Sequence, residues 1–332
     1  MSQLDLFGAP DEAPSAEPSV DALAAVYAEA ADLAARIDPR IRFGTSSWSF
    51  PGWRGLVYSR AMSESALSRE GLREYAQHPL LRTVGIDRSF YAPIPDEDLQ
   101  RYAGQLPGGF LTCAKAGASV TSAVGLGGRG QEPAANPDFL SPAIFIDEML
   151  TPFARHFRQF SGPFVLEFPP LPRGVTLSAA EFLEGLDNIL GALPRDFHYA
   201  VELRERDWLT AEYAQVLRSH GASHVFNYWS RMPLPAVQAD IIAPESQPLN
   251  VIRLLLPPGT RYQQQREAFR PFDKVQAPDP VMRSQVVALA RRSAAAGRDV
   301  FILVNNKAEG SSPLTVMEIA RLLTAQTDVW QG

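Results

Sequence analysis

The sequence predicts an α/β protein, a single TIM-like (β/α)8 barrel preceded by a disordered N-terminal tail and a short N-terminal helix. Three observations predict it. Eight short apolar runs alternate with helical patterns along most of the 332 residues, the sequence form of repeated strand-helix units. No GxGxxG or GxxxxGKS stands after the first run, where an open doubly wound sheet would carry its phosphate turn. Polar residues close nearly every run at its C-terminal end, the face on which a parallel barrel builds its site.

The elements follow in order. Residues 1–19 carry Pro10, Pro14 and Pro18 and four acidic side chains with no basic one, a composition that cannot offset its ordering entropy by burial. Residues 20–38 place Leu23, Tyr27, Ala30, Leu33 and Ile37 three or four apart, an amphipathic helix with Ser19 in position to cap it. Residues 39–330 are the barrel. Its strands are read as IRFGTS from Ile41, RTVGID from Arg82, FLTCAK from Phe110, FVLEF from Phe164, YAVELR from Tyr199, SHVFNY from Ser223, NVIRLLL from Asn250 and DVFILVN from Asp299. Ser178 with Glu181 forms a capping box, and Asp279-Pro280 and Ser312-Pro313 each set a capping side chain before a first-turn proline. Gly221 and Gly297 stand where left-handed C-caps end helices. Two long connections, Gly117 to Ser141 and Pro257 to Pro278, follow the third and seventh strands and are expected over the mouth.

Composition bounds the function. A content of 45% hydrophobic and 20% charged residues suits an ordinary globular protein. The net charge of −6 supplies no global basic field, so nucleic acid contact needs a local patch or a recruiting partner. Cys113 is the only cysteine, which excludes an internal disulfide and multi-cysteine metal sites. No apolar run is long enough to span a membrane and no secretory leader is evident, so a cytoplasmic protein is expected.

The strand ends supply a polar ring: Ser46, Ser47 and Trp48; Asp87 with Tyr91; Lys115; Glu167; Glu202 and Arg204; Asn227; Arg253; and Asn305, Asn306 and Lys307. Glu202 and Arg204 are two apart in one strand and so share a face. Lys115, Arg204 and Arg253 converging with Glu167 and Glu202 would favour an anionic ligand, leaving a carboxylate for acid-base work. Arg-Glu pairs inside a barrel also satisfy one another with no catalytic role, so the ring marks a pocket without naming a reaction. The five histidines fall on helices, helix ends or strand starts, away from the mouth. No nucleotide-cofactor motif is present; Asp87, Glu167 and Glu202 could hold a divalent metal, but their spacing does not require one. Cys113 reads as a core residue, and no GxSxG elbow supports a serine nucleophile.

At these residues the sequence resembles the bacterial family called domain of unknown function 72, or YecE-like. The matching segments are GTSSWSFPGWRG, SFYAPIP, the AK of FLTCAK, the FPP of FVLEFPP, AVELRERDWL and VNNKAEG. The resemblance implies a TIM-like barrel with its motifs at the strand C-termini and no established activity. It implies a family pocket that includes Thr45, Ser47, Trp48, Trp53, Phe90, Tyr91, Lys115, Glu202, Arg204, Asn305, Asn306 and Glu309. This chain departs from the family pattern at Gly85 and Asp87, Glu167, Glu205, Lys307, and at Leu255 and Leu256 before Pro257. The resemblance therefore points to Glu202 as the shared carboxylate, and a role for Glu167 would belong to this branch.

In the tail, Gln3, Leu4, Asp5, Leu6 and Phe7 resemble the bacterial sliding-clamp-binding motif, in which two apolar anchors enter a groove and the glutamine amide makes polar contacts. Large apolar side chains are otherwise foreign to such a tail. Two function classes follow. One is a hydrolase or lyase acting on nucleic acid or a phosphorylated substrate and brought to DNA by the clamp, with Arg261, Tyr262, Arg266, Phe269, Arg270, Phe272 and Lys274 touching phosphates or bases. The other is a cytosolic enzyme for a small anionic metabolite, or a clamp-associated binding module without catalysis.

Overall fold

The computed structural model describes residues 20–125 and 134–325; the tail motif Gln3–Phe7 and the cap expected at Ser19 lie outside the described residues. Eight strands form one sheet: β1 (Ile41–Thr45), β2 (Gly85–Ile86), β3 (Thr112–Lys115), β4 (Ser161–Phe168), β5 (Tyr199–Leu203), β6 (Ser223–Tyr228), β7 (Asn250–Leu254) and β8 (Val300–Val304). The order is β1-β8-β7-β6-β5-β4-β3-β2, with every pair parallel. All eight expected strands are present. β4 starts three residues earlier than expected, because Gly162 lets the chain run close against β3, where a Cβ would stand 2.5 Å from the Thr112 carbonyl oxygen.

Closure between β1 and β2 is slight. A single parallel bridge joins Phe43 to Leu81, and the amides of Arg82 and Thr83 donate to the Phe43 carbonyl. Gly44 makes the approach possible, since a Cβ there would fall 2.1 Å from the Thr83 carbonyl oxygen.

Alternation along the strands sorts the side chains. Cys113, Val165, Ala200, Val225, Val251, Phe301 and Leu303 form an apolar cluster inside the barrel. Their neighbours Leu166, Val201, Phe226, Ile252 and Ile302 join the larger core beneath the helices. With both faces buried, the strands read as continuous apolar runs. The period of two then places Lys115, Glu167, Glu202, Asn227, Arg253 and Asn305 one step further along the inner face, as a polar layer on an apolar plug.

The helices are α1 (Val20–Arg36), α2 (Glu64–Glu70), α3 (Leu72–Tyr75), α4 (Asp96–Ala103), α5 (Ala118–Thr121), α6 (Pro142–Phe145), α7 (Thr151–His156), α8 (Ala179–Ala192), α9 (Ala211–His220), α10 (Pro235–Ile241), α11 (Tyr262–Phe269), α12 (Pro280–Ala295) and α13 (Ser312–Thr324). A π-helical turn, Ile146–Leu150, joins α6 to α7. The Ser178 capping box is complete at the start of α8, and Asp279 caps α12 through the Met282 amide. Gly221 and Gly297 take the expected left-handed conformations. At α13 the start differs from expectation: Ser312 is already helical and its amide donates to Asn306 Oδ1 at 2.8 Å, so a side chain from the preceding loop does the capping. α1 buries Ala30 and Leu33, and its Tyr27 hydroxyl donates to the Val57 carbonyl.

Candidate functional site

The polar layer at the strand C-termini is a network of buried ion pairs. Glu167 on β4 and Glu202 on β5 are direct register partners, a pairing of like charges that is unfavourable alone. Cations from three other positions separate them. Glu167 Oε2 lies 2.9 Å from Lys115 Nζ, 2.8 Å from Arg204 Nη2 and 3.1 Å from Arg253 Nη1. Glu202 meets Arg204 at 2.6 Å and Arg253 at 2.5 Å. The other edge of the Arg253 guanidinium grips both oxygens of Asp87, at 2.9 and 2.8 Å. Glu202, Arg204 and Lys115 come together in one buried layer, with Glu167 linking them.

Three cations thus face three carboxylates, and the layer is formally neutral. Burial alone would raise the Glu167 pKa; the charges of Arg204, Lys115 and Arg253 outweigh it and hold the carboxyl well below its usual range. Burial opposes the Arg253 charge, but Asp87, Glu202 and Glu167 raise its pKa further. Glu167 is therefore a fixed anion and a poor proton carrier. The oxygens of Asp87, Glu167 and Glu202 turn toward ammonium and guanidinium groups that stand where a divalent cation would need to sit, a poor fit to a metal. Aromatic faces cover the cations from outside: the Phe90 ring centroid is 3.8 Å from Lys115 Nζ, and that of Trp229 is 4.0 Å from the Arg204 guanidinium carbon.

Above this layer the mouth is built differently. Lys307, in the loop after β8, is half-buried with its ammonium 4.4 Å from the centroid of the Tyr262 ring at the start of α11. Burial lowers its pKa to about 8, with Asp87 opposing and Arg266 adding to the shift. Tyr91 keeps 76% of its surface exposed. Its hydroxyl is nevertheless raised in pKa, first by desolvation and then by Tyr262, Asp87 and Glu167, which places it at the same opening.

The remaining expected site residues divide. Ser47 is half-buried near Ser49, and the side-chain oxygen of Asn305 accepts the Lys307 amide. Asn227 is fully buried and donates to the Leu203 carbonyl. Trp48 and Trp53 are core residues: the indole of Trp48 donates to the Leu67 carbonyl and that of Trp53 to Asn306. Thr45 accepts from neither but donates to the Ser47 carbonyl. Glu309 is fully buried and receives Arg283 Nε and the Asp279 amide at the start of α12. These groups hold the frame. In the second long connection Phe269 and Phe272 are buried, so only Tyr262 offers an accessible ring. Cys113 lies in the barrel core, where burial pushes its thiol up to about 12.

Sequence reasoning left Trp229 out of the polar ring and gave Lys307, a member of that ring, no role of its own. Trp229 stands two beyond Asn227, so the period of two could have found it. Lys307 was visible as a departure from the family pattern, but its place above Asp87 depends on how the loop after β8 folds.

A parallel barrel with a paired-charge layer beneath an aromatic, basic mouth defines the class: a TIM-like barrel whose strand C-termini carry the site. The sequence profile of the family described as "Protein of unknown function DUF72" matches residues 42–331, and the chain belongs to that family. A DUF72 family protein from Enterococcus faecalis V583 has the same fold, at 17% identity and a TM-score of 0.59, over 87% of this chain and 97% of that one. Another from Thermotoga maritima MSB8 is 20% identical with a TM-score of 0.59, over 86% of this chain and 99% of that one. No curated protein matches the sequence. Among the described residues no helix is long and apolar enough to cross a membrane.

Proposed function

We propose that the barrel mouth binds the anionic group of a phosphorylated or nucleic-acid-derived substrate, and that Lys307 meets it. The observation that carries this reading is the contrast between the two tiers of charge. The inner tier matches Lys115, Arg204 and Arg253 against Asp87, Glu167 and Glu202. At the rim, Lys307 and Arg266 have no carboxylate within ion-pair distance among the described residues. An entering anion would pair the desolvated ammonium and restore its pKa. An amine that titrates near 8 can also carry a proton close to neutral pH, which suits a hydrolase or lyase; the buried ion pairs then position the mouth and take no proton.

The same reading assigns Gln3–Phe7 to the sliding clamp, with Leu6 and Phe7 as the apolar anchors and DNA as the setting. Titration of inorganic phosphate and of a short single-stranded oligonucleotide against the wild type and Lys307→Met tests the mouth. At least a tenfold loss of affinity is expected, and equal affinities would remove Lys307 from the site. Capture of purified clamp by the full chain, compared with the Leu6→Ala and Phe7→Ala double variant, tests recruitment; undiminished capture would end that part of the proposal.

A further inference from the structure

Beside the mouth lies a cavity of about 250 Å³, between the segment after β2 and the helices after β3. Phe90, Ile94, Val120, Phe145, Met149 and Phe153 give it apolar walls. Two polar side chains with amide or carboxylate groups reach it. Asn136 is already committed, its amide nitrogen to the Ser119 and Ser122 carbonyls and its oxygen to the Asp138 amide. Glu148 is not: Oε2 accepts the Ser119 hydroxyl at 2.7 Å, and no other bond to this carboxylate occurs among the described residues.

The wall is shaped by the π-helical turn. Phe145, Met149 and Phe153 recur every fourth residue, a spacing that drifts around a plain α-helix by roughly 40° at each step. The wider turn over Ile146–Leu150 takes up that drift and keeps the three side chains on one line, with Glu148 beside them. Such turns weaken a helix locally and concentrate at functional sites.

One segment separates this cavity from the charged layer. Phe90 lines the cavity and also covers the Lys115 ammonium, while the Ser89 hydroxyl donates to the Lys115 carbonyl at 2.6 Å. Tyr91 stands at the lip with its ring edge-on to Phe90, centroids 5.3 Å apart. The volume is about that of eight waters, smaller than sites that enclose a whole drug-sized ligand. It suits part of a ligand. Apolar walls and an uncommitted carboxylate reject an anion and accept a flat group bearing an N–H donor.

The geometry points to a second subsite here, one that takes an aromatic ring with an amine or amidine-type donor directed at Glu148, while the anionic group of the same molecule rests at Lys307. The anionic half rests on the reading of the mouth given above; the ring half stands on the cavity alone. The substrate class is then an anion-bearing, amino-substituted ring compound of nucleotide type.

Calorimetric titration of the full-length chain with adenosine 5′-monophosphate, ribose 5-phosphate, adenosine and benzamidine tests it. The monophosphate should bind at least tenfold more tightly than ribose 5-phosphate. Glu148→Gln and the cavity-filling Ala118→Leu should each abolish that advantage, leave ribose 5-phosphate unchanged and weaken the two phosphate-free probes, adenosine and benzamidine. Lys307→Met should weaken both phosphates and leave adenosine and benzamidine alone. Binding of adenosine or benzamidine that depends on Glu148, with no phosphate binding, would sustain the cavity and overturn the mouth. Detectable but equal binding of the monophosphate and ribose 5-phosphate, no binding of either adenosine or benzamidine, or binding indifferent to both cavity variants would overturn the subsite. Thermal melts of Glu148→Gln and Ala118→Leu report whether each is folded.

Discussion

The charged layer inside the barrel and the cavity beside it share Phe90 as a wall, yet they are opposite constructions. The first has charge and no free partner for it: Arg253 alone touches Asp87, Glu167 and Glu202. The second has space, apolar walls and a carboxylate with one oxygen to spare. A buried ion network strains against its own desolvation and tolerates no missing member, whereas the cavity has room beside its carboxylate for a group that comes from outside. Charge density by itself therefore points to what holds the barrel mouth together, and vacancy points to what the mouth can receive.

Substitution should separate the two regions by the size of its effect. Arg253→Met removes the cation common to three buried carboxylates and should cost about 3–5 kcal/mol of stability, read by urea unfolding; a variant as stable as the wild type would break the contrast. Glu167 comes next. Its folded pKa lies below the usual value of 4.5, so its contribution is present above that pH and is lost as the pH falls below it. The Glu167→Gln variant should start less stable at pH 7 and lack that share of the acid-induced loss, in melts taken from pH 6 down to pH 2. Lys307 has the reverse sense. The folded amine titrates near 8 against 10.5 in the unfolded chain, so between those values the unfolded state binds more protons and wild-type stability rises with pH. Lys307→Met should flatten that rise; an unchanged slope would mean that the amine is not desolvated. The smallest effect is expected far from both regions, at the cap of α8, where Ser178→Ala should cost about 1 kcal/mol and add independently to each of the others.

The fold was legible because it rests on local signals. Eight apolar runs, a capping box at Ser178 and a C-cap glycine at Gly221 each act within a few residues. The inner face was legible from the spacing of Glu202 and Arg204. What could not be read was which strand-end groups would meet: Glu167 opposite Glu202, with Arg253 reaching across to Asp87, follows from register between strands far apart in the chain. The strand-end residues therefore suggested an excess of cations, Lys115, Arg204 and Arg253 against Glu167 and Glu202, that the folded layer cancels once Asp87 joins it. Trp48, Trp53, Asn306 and Glu309 sit in motifs that combine frame and site, and sequence alone does not divide them. The side cavity needs Phe90, Val120 and Met149 from three separate segments, so no local pattern announced it.

The slender junction of β1 with β2 gives the barrel an uneven mechanical compliance. Seven of its strand pairs are ladders and the eighth is one bridge, so the amides of Arg82 and Thr83 should exchange with solvent sooner than those at the centre of β7. Asp87 hangs directly from the two-residue β2. A small dilation there would move its carboxylate relative to Arg253 while Glu167 and Glu202 stay anchored on the long strands, so the barrel can retune one charge at its mouth without melting the rest.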